Sequence, residues 1–274
     1  MSDAPVSRGK FLKSLGSSMT GYVLGGTVGT AVQLLSGRAA PTAGKGRGTT
    51  PQPAAESSAP FVEHGPTEGN RIAFTFDDGP TPGVTERVLD ELRQRHLSAT
   101  FFMIGERIAA SPELARRVLA EGHEIGNHSY THPKLSTLPD PQVELELQKT
   151  QEILAKELNY HPKWFRPPYG AFRKNQAFIP YRKGLGVVLL SVDSRDWAQP
   201  GEGPITDTIL SQTKAGSIVL CHDRYPQTGN CIGQILDRLL ERHFNFVTLS
   251  ALAGQLHPSK NAPEETVKKN NLIE

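Results

Sequence analysis

The sequence predicts an α/β fold, a distorted or incomplete (β/α) barrel with about seven parallel strands. Three observations predict it. Short apolar runs alternate with stretches whose apolar residues recur at helical spacing. These units follow one another through one continuous region, and a strand that returns through a helix pairs parallel with its predecessor. Acidic, imidazole and guanidinium groups stand just beyond the apolar runs, at the end of the strands where a parallel architecture gathers groups from distant sequence positions.

The first strand is 72–76, followed by Val84, Val88, Leu89 and Leu92 on one helix face. Strand 100–104 precedes a helix marked by Leu114, Val118 and Leu119, and strand 124–127 precedes one marked by Val143, Leu147, Leu154 and Leu158. Strands 163–165, 187–192 and 217–221 come next, then a helix bearing Ile232, Ile235, Leu236 and Leu239, and a last strand at 246–249. Together these define one domain over 66–257. Before it, 39–65 reads as a flexible linker, because 38–60 is built of Ala, Gly, Pro, Ser, Thr and a few polar or charged residues that bury nothing. The uncharged stretch 14–37 follows Arg8, Lys10 and Lys13, so 1–38 reads as an export signal or an N-terminal membrane anchor, and predicts an exported protein, extracellular or in the cell envelope. The polar tail 258–274 frays from the domain.

A formal charge of +2 over 274 residues lacks the basic excess that displaces counterions from a polyphosphate, which argues against nucleic acid as a partner. Two cysteines, Cys221 and Cys231, are too few for a disulfide scaffold. A bridge between them after export is one reading. A buried free Cys221 is the stronger one, since strand alternation points it away from Leu220 and His222.

Asp77 and Asp78 leave the first strand together before Gly79-Pro80, so one carboxylate is free to bind a cation while the other takes a proton from water. His128 and His132 are four residues apart, and Pro133 stops a helix there, which places both imidazoles on a loop or single turn. With Asp78 they make a two-histidine, one-carboxylate set that leaves positions open for water and substrate, as catalytic zinc requires; iron and cobalt accept similar sets.

Five ordered segments resemble the motifs of the polysaccharide deacetylase family (NodB homology, carbohydrate esterase family 4): 75–80, 128–133, 166–170, 193–197 and 220–223. The resemblance implies that Asp77 is the general base and that Asp78, His128 and His132 hold a divalent metal, zinc first and cobalt or another transition metal second. It implies that Arg166 pairs with Asp77 and keeps it ionised, and that His222 is the general acid for the leaving amine. An aspartate of the fourth segment tunes that histidine, Asp193 first and Asp196 second. The Tyr169 backbone N–H completes oxyanion stabilisation, and Trp197 and Leu220 enclose the acetyl methyl. The implied reaction is hydrolysis of N-acetyl groups on an N-acetylated hexosamine polysaccharide such as peptidoglycan or chitin, releasing acetate. An O-acetyl esterase of the xylan type and a non-catalytic carbohydrate-binding envelope protein are the alternatives.

Overall fold

The structure, a computed structural model, describes residues 61–254. The expected export or anchor segment 1–38, the linker up to residue 60 and the tail 258–274 lie outside the described residues. Among the described residues no helix is long and apolar enough to cross a membrane.

Strand β1 (Phe61–Val62) precedes β2 (Arg71–Asp77) and α1 (Thr85–Gln94). Then follow β3 (Thr100–Met103), α2 (Gly105–Ala110), α3 (Pro112–Ala120), β4 (Glu124–Asn127) and α4 (Asp140–Leu158). The chain continues through β5 (Trp164–Phe165), α5 (Phe178–Arg182), β6 (Gly186–Val188), β7 (Val192–Asp193) and α6 (Glu202–Gln212). It ends with β8 (Ile218–His222), α7 (Pro226–Glu241), β9 (Asn245–Phe246) and α8 (Leu249–Ala253). The hydrogen-bonded order is β1-β6-β5-β4-β3-β2-β8-β7, with β9 joined to the start of β2, and every pairing given is parallel. The path does not close, so the expected distorted, open (β/α) barrel is what forms.

Strand alternation decides which groups enter the barrel. On β2, Ile72, Phe74 and Phe76 join the core shared with α1 and α7 through Val88, Leu89, Leu92, Ile232 and Leu236. Ala73, Thr75 and Asp77 therefore point inward. On β8 the outward residues are Val219 and Cys221, which leaves Ile218, Leu220 and His222 inside. Leu249 and Leu252 of α8 pack with Ala73, Phe102 and Ile218 inside the opposite end of the barrel.

Three details depart from the sequence reading. Strand β1 lies within the expected linker, where Val62 packs against Val188, Leu249 and Leu252; two residues are too few to show a period. The run expected as one strand over 187–192 divides, because β6 pairs with β5 and β1 while β7 pairs with β8 at the other end of the open path. The last strand stops at Phe246, and Thr248 instead caps α8 by accepting a hydrogen bond from the Ala251 N–H. Both cysteines are buried and free, and Cys221 faces the core as alternation requires.

Gly216, just before β8, has φ +82°, and a Cβ there would stand 2.5 Å from the Gly65 carbonyl oxygen. Its own carbonyl accepts the Gly65 N–H at 2.7 Å. Backbone cannot yield to such a clash, so Gly216→Ala is expected to cost more than about 1 kcal/mol, read as a lowered midpoint of thermal unfolding.

Candidate active site

Asp77 ends the inward face of β2, and Arg166 follows the outward-facing Phe165 of β5, so alternation turns both into the barrel. Nη1 of Arg166 donates to Asp77 Oδ1 and to Thr75 Oγ1, both at 2.7 Å, and Nη2 donates to the Leu189 carbonyl at 2.9 Å. The guanidinium lies 4.2 Å over the Phe102 ring. Both members of the ion pair are buried. Such a pair is expensive to break, about 3–5 kcal/mol when one partner is removed, because the survivor keeps a buried uncompensated charge.

Asp78 and the two histidines approach from different strands. Asp78 Oδ1 lies 3.0 Å from His132 Nε2 and 3.5 Å from His128 Nε2, while His128 Nε2 is 3.7 Å from Asp77 Oδ2. One potential ligand atom from each of Asp78, His128 and His132 falls within 4.8 Å of the others. Burial on its own would raise the Asp78 carboxyl; contact with and charge from His128 and His132 override it and hold the group well below the usual carboxylate range.

Two observations fit this set to a divalent cation. Asp78 Oδ1 is buried and makes no hydrogen bond of sound geometry, although both imidazoles face it. His128 Nδ1 lies 2.7 Å from the Arg166 carbonyl oxygen, which can only accept, so the proton sits on Nδ1 and the Nε2 lone pair is left for a metal. Two nitrogens and one carboxylate oxygen suit zinc and related transition metals.

His222 is the register partner of Asp77 on the neighbouring strand. Its Nδ1 meets Asp196 Oδ1 at 2.6 Å, and Asp196 Oδ2 accepts from the His222 backbone N–H at 2.7 Å and from Thr228 Oγ1 at 2.6 Å. Burial would lower the imidazole, but Asp196 by contact and charge, aided by Asp77 and Asp78, pushes it up to about 9. The carboxylate against His222 is therefore that of Asp196, and the first choice of Asp193 is corrected. Asp193 instead accepts from the Arg195 N–H at 2.8 Å and lies 3.4 Å from the Trp197 indole nitrogen, so it fastens the turn that carries Trp197.

The rim is aromatic. Tyr169 is 68% exposed and its ring lies 4.6 Å from that of His132 in an edge-on arrangement; Trp197 is 47% exposed beside Arg195. Leu220 is buried on the same inward face as His222. Left-handed backbone recurs around the site, at Asp78 (φ 73°), Ser129 (64°), His132 (59°), Tyr169 (59°) and Arg195 (57°). Such conformations are uncommon for non-glycine residues; they occur at helix ends, as at Asn159 after α4, and in functional loops.

Two residues near this centre escaped the sequence reading. Thr228 reaches Asp196 from the first turn of α7, and Arg224 places Nη1 3.5 Å from Asp78 Oδ2. Arg224 lies beyond the last strand, where no period aims its side chain; Thr228 continues the buried face of α7 with Ile232 and Ile235, but helical period does not name the carboxylate it meets.

Comparison with known proteins agrees with this geometry. The profile of the polysaccharide deacetylase family matches residues 64–188. A peptidoglycan-N-acetylglucosamine deacetylase of Listeria monocytogenes is 38% identical over 185 residues, covering 68% of this chain and 39% of that protein, so the match spans about two fifths of that relative's length. A chitooligosaccharide deacetylase of Bradyrhizobium sp. is 43% identical over 165 residues, 60% of this chain and 75% of that one. The crystal structure of a peptidoglycan N-acetylglucosamine deacetylase superposes with a TM-score of 0.68 at 34% identity, covering 70% of this chain and 92% of the other. With the open parallel barrel and the five motifs gathered at one rim, these matches make the chain a member of the polysaccharide deacetylase family.

Proposed function

We propose that this protein removes N-acetyl groups from a cell-envelope hexosamine polysaccharide, peptidoglycan or a chitin-like polymer, in a metal-dependent hydrolysis. One observation carries the reading. A buried carboxylate paired with Arg166 and an imidazole raised above neutrality occupy register-partner positions on β2 and β8, beside a cation-binding set. That arrangement supplies a proton acceptor and a proton donor for one amide bond.

Asp78, His128 and His132 hold the cation, zinc in the first instance, which when bound supplies Lewis acidity toward the acetyl carbonyl and toward water. Asp77 takes a proton from the attacking water as the C–O bond forms. His222, an imidazolium at neutral pH, gives its proton to the nitrogen as the C–N bond breaks, leaving acetate and a free amine. Asp196 and Thr228 hold the donor in place. The Tyr169 N–H serves the carbonyl oxygen as charge develops there, and Trp197 with Leu220 walls the acetyl methyl. The named relatives act on peptidoglycan and chitooligosaccharides, which supports an exported enzyme at the cell envelope.

Acetate release by the full chain from chitooligosaccharides and from peptidoglycan tests the proposal. Chelation is expected to abolish release and added zinc or cobalt to restore it, with His128→Ala inactive under both conditions. A folded, metal-loaded protein that frees no acetate from either polymer would sink N-deacetylation. Release from acetylated xylan alone would mark an esterase.

A further inference from the structure

We infer that Glu146, on α4, is a positioning residue of the candidate metal centre: its carboxylate holds the 128–132 loop in the shape that aims His128 and His132 at one ion. The inference rests on the reading that Asp78, His128 and His132 bind a divalent cation.

Glu146 stands on the helix between Val143 and Leu147 and one turn before Thr150, all three buried, so its side chain emerges on the flank of α4 that faces the barrel. From there Oε2 accepts the backbone N–H of Tyr130 at 2.9 Å and of Thr131 at 2.8 Å, while Oε1 accepts Thr131 Oγ1 at 2.9 Å. Other backbone groups of the loop are met by neutral partners. Asn127 Oδ1 accepts from the Ser129 N–H at 2.9 Å, and Ser129 Oγ from the His132 N–H at 3.1 Å. The N–H groups of Gly105 and Glu106 donate to the Ser129 and Tyr130 carbonyls, each at 3.0 Å. Among these partners of the loop backbone Glu146 supplies the charged acceptor, and hydrogen bonds to an ionised acceptor are roughly twice as strong as neutral ones.

The loop needs such bracing, because Ser129 and His132 are both left-handed, at φ 64° and 59°. It is also seated tightly. A Cβ on Gly105 would stand 2.3 Å from the Tyr130 ring, so the β3–α2 corner and α4 grip the loop from two elements. Removing the carboxylate frees two backbone N–H groups between the metal-binding histidines, and the loop then relaxes away from the geometry that brings both Nε2 atoms to Asp78.

The test is zinc affinity of the metal-free full chain, measured by competition with a chromophoric chelator, with thermal unfolding in excess chelator as a separate record of folding. Glu146→Ala is expected to raise the zinc Kd about 10- to 100-fold, the range for residues that orient metal ligands without touching the metal. Glu146→Gln keeps one acceptor oxygen and is expected to fall between that variant and wild type; Thr131→Val loses only the Oε1 bond and is expected to change Kd least. Glu144→Ala serves as the charge control, since Glu144 pairs with Arg182 and Lys183 at the end of α5 and not with the 128–132 loop. A wild-type Kd in Glu146→Ala, or an equal loss in Glu144→Ala, overturns the inference. Should Glu146→Ala fail to fold, graded weakening in Glu146→Gln and Thr131→Val supports it and wild-type Kd in both overturns it. A wild-type chain that binds no zinc removes the metal-centre reading and this inference together, whereas zinc binding without acetate release counts against the deacetylase reading alone.

Discussion

Asp77→Asn is expected to lower acetate release by about 10²- to 10⁴-fold while zinc still binds. Asparagine keeps nearly the same shape but cannot take a proton from water, and the cation ligands Asp78, His128 and His132 are untouched. The variant also leaves the Arg166 guanidinium buried without its counter-charge, so a melting temperature below that of wild type is expected alongside the catalytic loss. Kinetics at a temperature where circular dichroism shows the variant folded, together with its zinc stoichiometry, separate the two effects. Retention of more than about a tenth of the wild-type rate would remove Asp77 from the role of base, because general-base catalysis contributes far more than that.

Asp196→Asn is expected to move the alkaline limb of activity downward by about one pH unit or more. In wild type the Asp196 carboxylate holds the His222 imidazolium up to about 9, so the proton donor persists through neutrality and is lost only as pH rises through that value. An asparagine cannot offer the same charge, and the donor then disappears at lower pH. The linkage to stability has a definite sign. A histidine raised from 6.5 to about 9 on folding stabilises the native state fully below pH 6.5, and that contribution, about 3 kcal/mol, is lost as pH rises through about 9. Urea unfolding of the metal-free protein from pH 6 to 10 is therefore expected to show a steeper fall for wild type than for Asp196→Asn. An unmoved alkaline limb would assign that limb to another group. Asp193→Asn is the matched comparison: its carboxylate lies against Arg195 and Trp197, so the limb is expected to stay in place.

That contrast also shows what could be read from the chain without its fold. The strands were legible because alternation is a local property: Ile72, Phe74 and Phe76 outward obliges Ala73, Thr75 and Asp77 inward, whatever the neighbours are. The cation set was legible too, since Asp78 leaves a strand and His128 and His132 share one tight turn. Strand β1 was not, being two residues whose pairing with β6 depends on an edge made more than a hundred residues later. Nor was the division between β6 and β7, which the two ends of the open barrel impose.

By itself the sequence determined the βα order and the kinds of chemistry at the rim, because these follow from side-chain period and residue type. Only the tertiary structure decided which carboxylate meets His222, and it chose Asp196 because the left-handed turn at Arg195, beside the β7–β8 ladder, brings that side chain inward while Asp193 folds back on its own loop. Only it revealed Glu146 and Thr228, whose helices are aimed by packing against the barrel. Period and composition are written along the chain, but the direction of a side chain beyond a strand end is set by whatever the rest of the chain packs against it.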